Sequence, residues 1–201
     1  MRPNARDYLQ SLDRDTRIIN AGCGKGQHPT QAALDIVTIN KELGRTQDLR
    51  LLIAGDLARG RTARSLAYLM GRQPGVSIDF VSPAELAMGH DMLAYLKRHN
   101  TPYRQLHSLD DAIAEADVVY MTRVQKERPL EGVSLSQLDI DCFKLTVKRA
   151  QRMKPGSCIM HPMPIVDEIE EGVERMVHAA YFRQSDNGVP VRMALLDMMM
   201  S

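Results

Sequence analysis

Short apolar runs alternate along this chain with longer stretches of helical periodicity. Candidate strands are Arg17–Asn20, Leu49–Ala54, Ser77–Val81, Val118–Thr122 and Ser157–His161. Each is rich in Ile, Val, Leu or Met, as expected of a strand buried on both faces. Between them lie helical patterns. Pro29–Leu43 opens on a proline in its first turn and stops at Gly44, the asymmetry typical of helix ends. Arg61–Met70, Pro83–His99, Leu109–Glu115 and Asn187–Met200 follow the same periodicity, while Ser134–Arg152 mixes helical and extended signals. Strand–helix–strand alternation predicts an α/β fold, a doubly wound parallel sheet with helices on both faces.

In such sheets ligands sit beyond the carboxyl ends of the strands. That rule selects Gly22–Gln31, Gly55–Thr62, Met121–Arg128 and His161–Glu168, which are also the segments richest in glycine, proline and polar residues. Gly22-Cys23-Gly24-Lys25-Gly26 sits between a strand and a helix, where backbone can approach an anion. Alone it also fits the glycine loop of a nucleotide-binding or methyltransferase domain, with Asp56 as the acidic partner. His28 can donate to a carbonyl oxygen and Gln31 can bond an amide, both at a helix N-terminus; an N-cap with polar decoration is the plainer reading. Arginines in Gly55–Thr62 and Met121–Arg128 fit a dianionic ligand, because guanidinium grips carboxylate through a two-pronged fork. Glu127 is placed to orient one of them. His161-Pro162-Met163-Pro164 fixes its backbone and leaves carbonyls to accept from an amino group.

Composition narrows the classes. The 201 residues are 44% hydrophobic, enough for a sizeable core. Twenty-six Lys+Arg against 25 Asp+Glu give a net charge of +1, which argues against nucleic acid as the main partner. Cys23, Cys142 and Cys158 are too few and too widely spaced for a disulfide framework or a metal site, so a reducing cytoplasm is expected. No apolar run approaches the roughly 18 residues of a membrane span, and the first ten residues lack the apolar core of a signal peptide. The Met-rich tail reads as a terminal helix packed on a neighbour.

Taken together, INAG-x-G-x-x-QHPTQ, GDL-x-x-GRT-x-x-SL, VVYMTRVQKER, HPMP-x-VDEI and YFRQ-x-x-NG-x-x-VRMALL resemble the successive signatures of aspartate carbamoyltransferases, in the family's order, from about Ile19 onward. The related ornithine enzymes fit poorly, since they carry a cysteine at the HPTQ and HPMP positions and lack RVQKER. The resemblance implies condensation of carbamoyl phosphate with L-aspartate, a step of pyrimidine synthesis, with no metal and no cofactor. His28 would bond the carbamoyl oxygen. Gln31 and the backbone at Met163 and Pro164, across a cis bond, would hold the carbamoyl amino group. Arg61 and Arg123 would clamp the aspartate carboxylates, with Gln125 assisting and Arg2 as a weak further contact.

The resemblance also has gaps. The family's Ser-Thr-Arg-Thr-Arg phosphate loop, and the loop that lends a lysine to a neighbouring subunit, have no counterpart here. Cys23, Ala58-Arg59 and Ile165 depart from the family pattern. The expected organisation is a remnant of the carbamoyl-phosphate segment in residues 1–20, an aspartate-binding domain in 21–185 and a C-terminal helix in 186–201. The family trimerises. This chain alone is expected to be monomeric or weakly associated, with negligible turnover unless another chain supplies the missing half. The alternative is a non-catalytic relative that retains dicarboxylate binding.

Overall fold

A computed structural model describes residues 16–24, 26–125 and 139–201. Its centre is a five-stranded parallel sheet in the order β3-β2-β1-β4-β5, built from β1 (Arg50–Ala54), β2 (Ser77–Val81), β3 (Tyr103–Leu106), β4 (Val118–Met121) and β5 (Cys158–Met160). The chain winds outward through β1, β2 and β3, then returns to the other side of β1 for β4 and β5. The switch point therefore lies between β1 and β4, where a crevice opens at the strand ends.

Strand alternation divides the core. Leu51, Ile53, Val118, Tyr120, Cys158 and Met160 face one side, under α1 (Pro29–Leu43), α2 (Arg61–Met70) and α3 (His90–Arg98). Leu52, Ala54, Val119, Met121 and Ile159 face the other, covered by 3-10 turns, Phe143, Leu145, Val173 and the short helices α4 (Val147–Ala150) and α5 (Tyr181–Asp186). Both faces are thus covered, one by long helices and the other by short pieces.

Helix α1 begins at the expected proline and ends where Gly44 adopts a left-handed conformation, its N–H bonding Asn40 O at 2.9 Å. Other expectations shift. Arg17–Asn20 is irregular and largely exposed rather than a strand; neither sheet edge receives it as a partner. Tyr103–Leu106 (sequence YRQL) is an edge strand whose half-polar pattern hid it. Pro83–His99 is a 3-10 turn at Ala84–Leu86 followed by α3, with Gly89 as the break. Leu109–Glu115 shortens to a 3-10 turn at Leu109–Asp111.

The Met-rich tail forms α6 (Gly188–Met200) against α1. Its apolar residues run around the whole circumference, so no single face can bury them. Gly188 is buried, whereas Met193, Leu196, Met198 and Met200 are 55–75% exposed. No described helix is long and apolar enough to cross a membrane.

Candidate anion and amide site at the sheet switch point

Residues from all four segments singled out in the sequence line one cavity of about 310 Å³, although Gly22–Gln31 leads into α1 without a strand before it among the described residues. They include His28, Gln31, Arg61, Arg123, Gln125, Met163 and Pro164, together with Thr62, Thr122 and His161. Arg2 and Glu127 lie outside the described residues.

On one side, β1 ends at Gly55, whose φ is +116°. A side chain there would come within 1.9 Å of Thr122 O, so only glycine lets the ends of β1 and β4 approach. Asp56 follows, fully buried, and accepts from Arg59 N at 3.1 Å, Arg59 Nε at 2.7 Å and Gln125 N at 3.0 Å. One carboxylate therefore fixes both the β1 turn and the backbone next to Arg123. Arg59 is itself only 3% exposed, closing a buried ion pair with Asp56. Arg61 opens α2, and its guanidinium lies against Gly22, where a Cβ would sit 2.8 Å from Cζ. The glycine loop thus makes room for an arginine; Lys25 within it lies outside the described residues.

On the other side His28 caps α1, and its backbone N–H donates to Ser65 Oγ of α2 at 2.8 Å. Burial, with Arg61 and Arg192 nearby, lowers its pKa below the usual imidazole value. The ring is therefore neutral near pH 7 and can donate one hydrogen bond without carrying charge. Gln31 Nε2 donates to Asp35 Oδ1 at 2.9 Å. Asp35 is completely buried and also accepts from Gln184 Nε2 at 2.7 Å and Tyr120 OH at 2.9 Å. Desolvation raises its pKa to about 7 against these three hydrogen bonds.

The His161–Pro164 turn has a cis Met163–Pro164 bond and Met163 at φ +60°. His161 shapes it from below. Its Nδ1 accepts from Met163 N at 2.8 Å, its Nε2 lies 2.7 Å from Glu168 Oε1, and its backbone N donates to Gln184 Oε1 at 2.7 Å. Glu168 also receives the N–H groups of Val166 and Asp167. Its burial opposes ionisation, but the His161 contact and these hydrogen bonds outweigh that and lower its pKa. A smaller polar recess next door is lined by Gln31, His161, Gln184, Ser185 and Arg192.

Sequence reasoning reached the lining residues and missed the groups beneath them: Asp35, Tyr120, Gln184 and Arg59, together with the organising role of Asp56. A signal for Asp35 was present, because it lies one helical turn from Gln31 in the apolar stripe of α1, where an acid demands partners.

Guanidinium groups share this cavity at the parallel-sheet switch point with an imidazole and an amide, a set of groups able to hold a small anion that also carries a carbonyl or amide. Comparison with known proteins names the family. Residues 47–199 match the family description "Aspartate/ornithine carbamoyltransferase, Asp/Orn binding domain", and the chain belongs to that family. It is 44% identical over 183 residues to the aspartate carbamoyltransferase catalytic subunit of Methanothrix thermoacetophila, covering 91% of this chain and 59% of that protein. It is 41% identical over 186 residues to the chloroplastic aspartate carbamoyltransferase of rice, covering 92% of this chain and 51% of that one. Aspartate transcarbamoylase from Trypanosoma cruzi, solved with N-(phosphonacetyl)-L-aspartic acid, superposes with a TM-score of 0.85 at 35% identity over 96% of this chain and 60% of that one. The chain spans between half and three fifths of the length of these relatives.

Proposed function

We propose that this chain is the aspartate-binding half of an aspartate carbamoyltransferase, acting in the cytoplasm in pyrimidine synthesis. Arg61 and Arg123 grip the two carboxylates of L-aspartate, with Gln125 assisting. His28 donates to the carbamoyl oxygen and stabilises the charge that develops on it. Gln31 Oε1 and the carbonyls of Met163 and Pro164 accept from the carbamoyl amino group. Catalysis is then mostly orientation and electrostatic stabilisation. No metal or organic cofactor enters this scheme.

One observation carries the reading. Two guanidiniums from beyond the ends of β1 and β4 and a neutral imidazole from the start of α1 meet in one cavity. Among family alternatives the paired arginines favour a dicarboxylic amino acid over a cationic one such as ornithine. Phosphate requires a further set of cationic and hydroxyl groups, which we assign to a region the 201 residues do not include, whether in a longer chain or a partner. Residues 21–185 act as the aspartate-binding unit in this scheme, and the family's trimer forms only once that region is present.

Calorimetry with succinate tests the grip. Millimolar or tighter binding, lost in Arg123→Ala, is expected; no binding at any millimolar concentration contradicts the reading. Carbamoyl-aspartate formation, assayed with and without a polypeptide carrying the phosphate loop, tests the division of labour. Full turnover by this chain alone would refute it.

A further inference from the structure

We propose that Asp35 fixes the sense of the Gln31 side-chain amide and thereby makes the cavity select an amino group over an isosteric methyl group. The inference rests on the proposed function and extends it to a residue that touches no ligand.

A primary amide has one donating end and one accepting end, and which end faces a ligand is set by what holds the other. Gln31 Nε2 is 2.9 Å from Asp35 Oδ1, so its donating end points into the protein. The accepting end is left to the cavity that Gln31 lines. A reversed amide would put Oε1 against a carboxylate oxygen in a site that is completely buried, with no water to screen two acceptors.

The arrangement is locked from a second direction. Gln184 Nε2 approaches the same Asp35 Oδ1 at 2.7 Å, while its Oε1 accepts from His161 N at 2.7 Å. A backbone N–H only donates, so Gln184 cannot reverse, and residue 35 must present an oxygen at that point. The remaining oxygen, Oδ2, faces the Tyr120 hydroxyl at 2.9 Å, a group able to donate or accept. A proton on Asp35 is therefore accommodated at Oδ2 without turning either amide. Through Gln184 and His161 the same carboxylate also reaches the Met163–Pro164 turn. Asp35 is in this way a positioning residue for both walls of the amino-group subsite.

The test compares N-carbamoyl-L-aspartate with N-acetyl-L-aspartate, which differ by an amino group in place of a methyl group, and uses succinate, which lacks both, as the reference. Calorimetry on the wild-type chain should give about a tenfold preference for the carbamoyl compound. Asp35→Leu should abolish that preference and leave succinate affinity within about twofold. Asp35→Asn should keep the preference, because Gln184 forces the Asn oxygen toward both amides. A preference that survives in Asp35→Leu, or disappears in Asp35→Asn, overturns the inference. So does a loss of affinity by Asp35→Leu that is equal for all three ligands, the mark of a purely structural role. Should Asp35→Leu fail to fold, the Asp35→Asn result decides. Wild-type binding of succinate without any carbamoyl preference defeats this inference alone, whereas no binding of any of the three defeats the proposed function itself.

Discussion

The floor of the cavity and its rim are built on different principles. The floor consists of three carboxylates, Asp35, Asp56 and Glu168, each 0% exposed. Each gathers donors from two or more separate places: Gln31, Gln184 and Tyr120 for Asp35; Arg59 and Gln125 for Asp56; His161, Val166 and Asp167 for Glu168. The rim consists of His28, Arg61, Arg123 and Gln125, all partly exposed and facing the cavity. Rim groups can meet a ligand only because the floor has already fixed the backbone turns that carry them. The contrast predicts that floor substitutions cost stability and rim substitutions cost binding.

The largest effect is expected at Asp56. Replacing it with Ala removes the buried carboxylate that pairs with Arg59 and accepts from Gln125 N, and breaking a buried pair costs about 3–5 kcal/mol. Urea unfolding would read it, and a loss below about 1 kcal/mol would place Asp56 outside the floor.

Next comes Asp35. Its folded pKa of about 7 lies above its ordinary value of 3.8, so the folded state holds a proton that the unfolded state releases. This contribution is complete below about pH 4 and is lost as the pH rises through 7, with an upper bound of about 4 kcal/mol. Asp35→Asn should flatten that slope between pH 4 and 7. An unchanged slope would mean that other groups cause it.

Arg123→Ala should act the opposite way. Succinate binding should fall by about 10- to 100-fold, the equivalent of one charge-assisted contact, while unfolding shifts by less than about 0.5 kcal/mol. A large stability loss here would erase the distinction between rim and floor.

The smallest effect is expected on α6, which belongs to neither. Met198 is 75% exposed, and Met198→Glu should change stability by no more than about 0.5 kcal/mol.

Much of this was legible in the sequence because it is periodic or local. β1, β4 and β5 are largely apolar runs, β2 sets Ile78, Phe80 and Val81 around Asp79, and α1 is bounded by Pro29 and Gly44. Four glycine-, proline- and polar-rich segments mark the cavity in the sequence; three of them follow strands, and Gly22–Gln31 instead leads into α1. β3 was not legible, because an edge strand needs only half its surface covered and its residues carry no apolar run. The floor was not legible either. Asp35, Tyr120 and Gln184 are separated by 85 and 149 positions measured from Asp35, and only folding brings them to one point. A buried acid within an apolar stripe says that partners exist but not which ones.

The three thiols differ in a way that has a practical use. Burial pushes the Cys142 thiol up to about 11 and the Cys158 thiol up to about 12, while Cys23 is exposed in the glycine loop. Because alkylation proceeds through the thiolate, a maleimide dye at neutral pH should attach at Cys23 and leave the other two untouched. The sequence therefore carries a single addressable handle on the loop that leads to His28, where a fluorophore could report changes in that loop without any engineered cysteine.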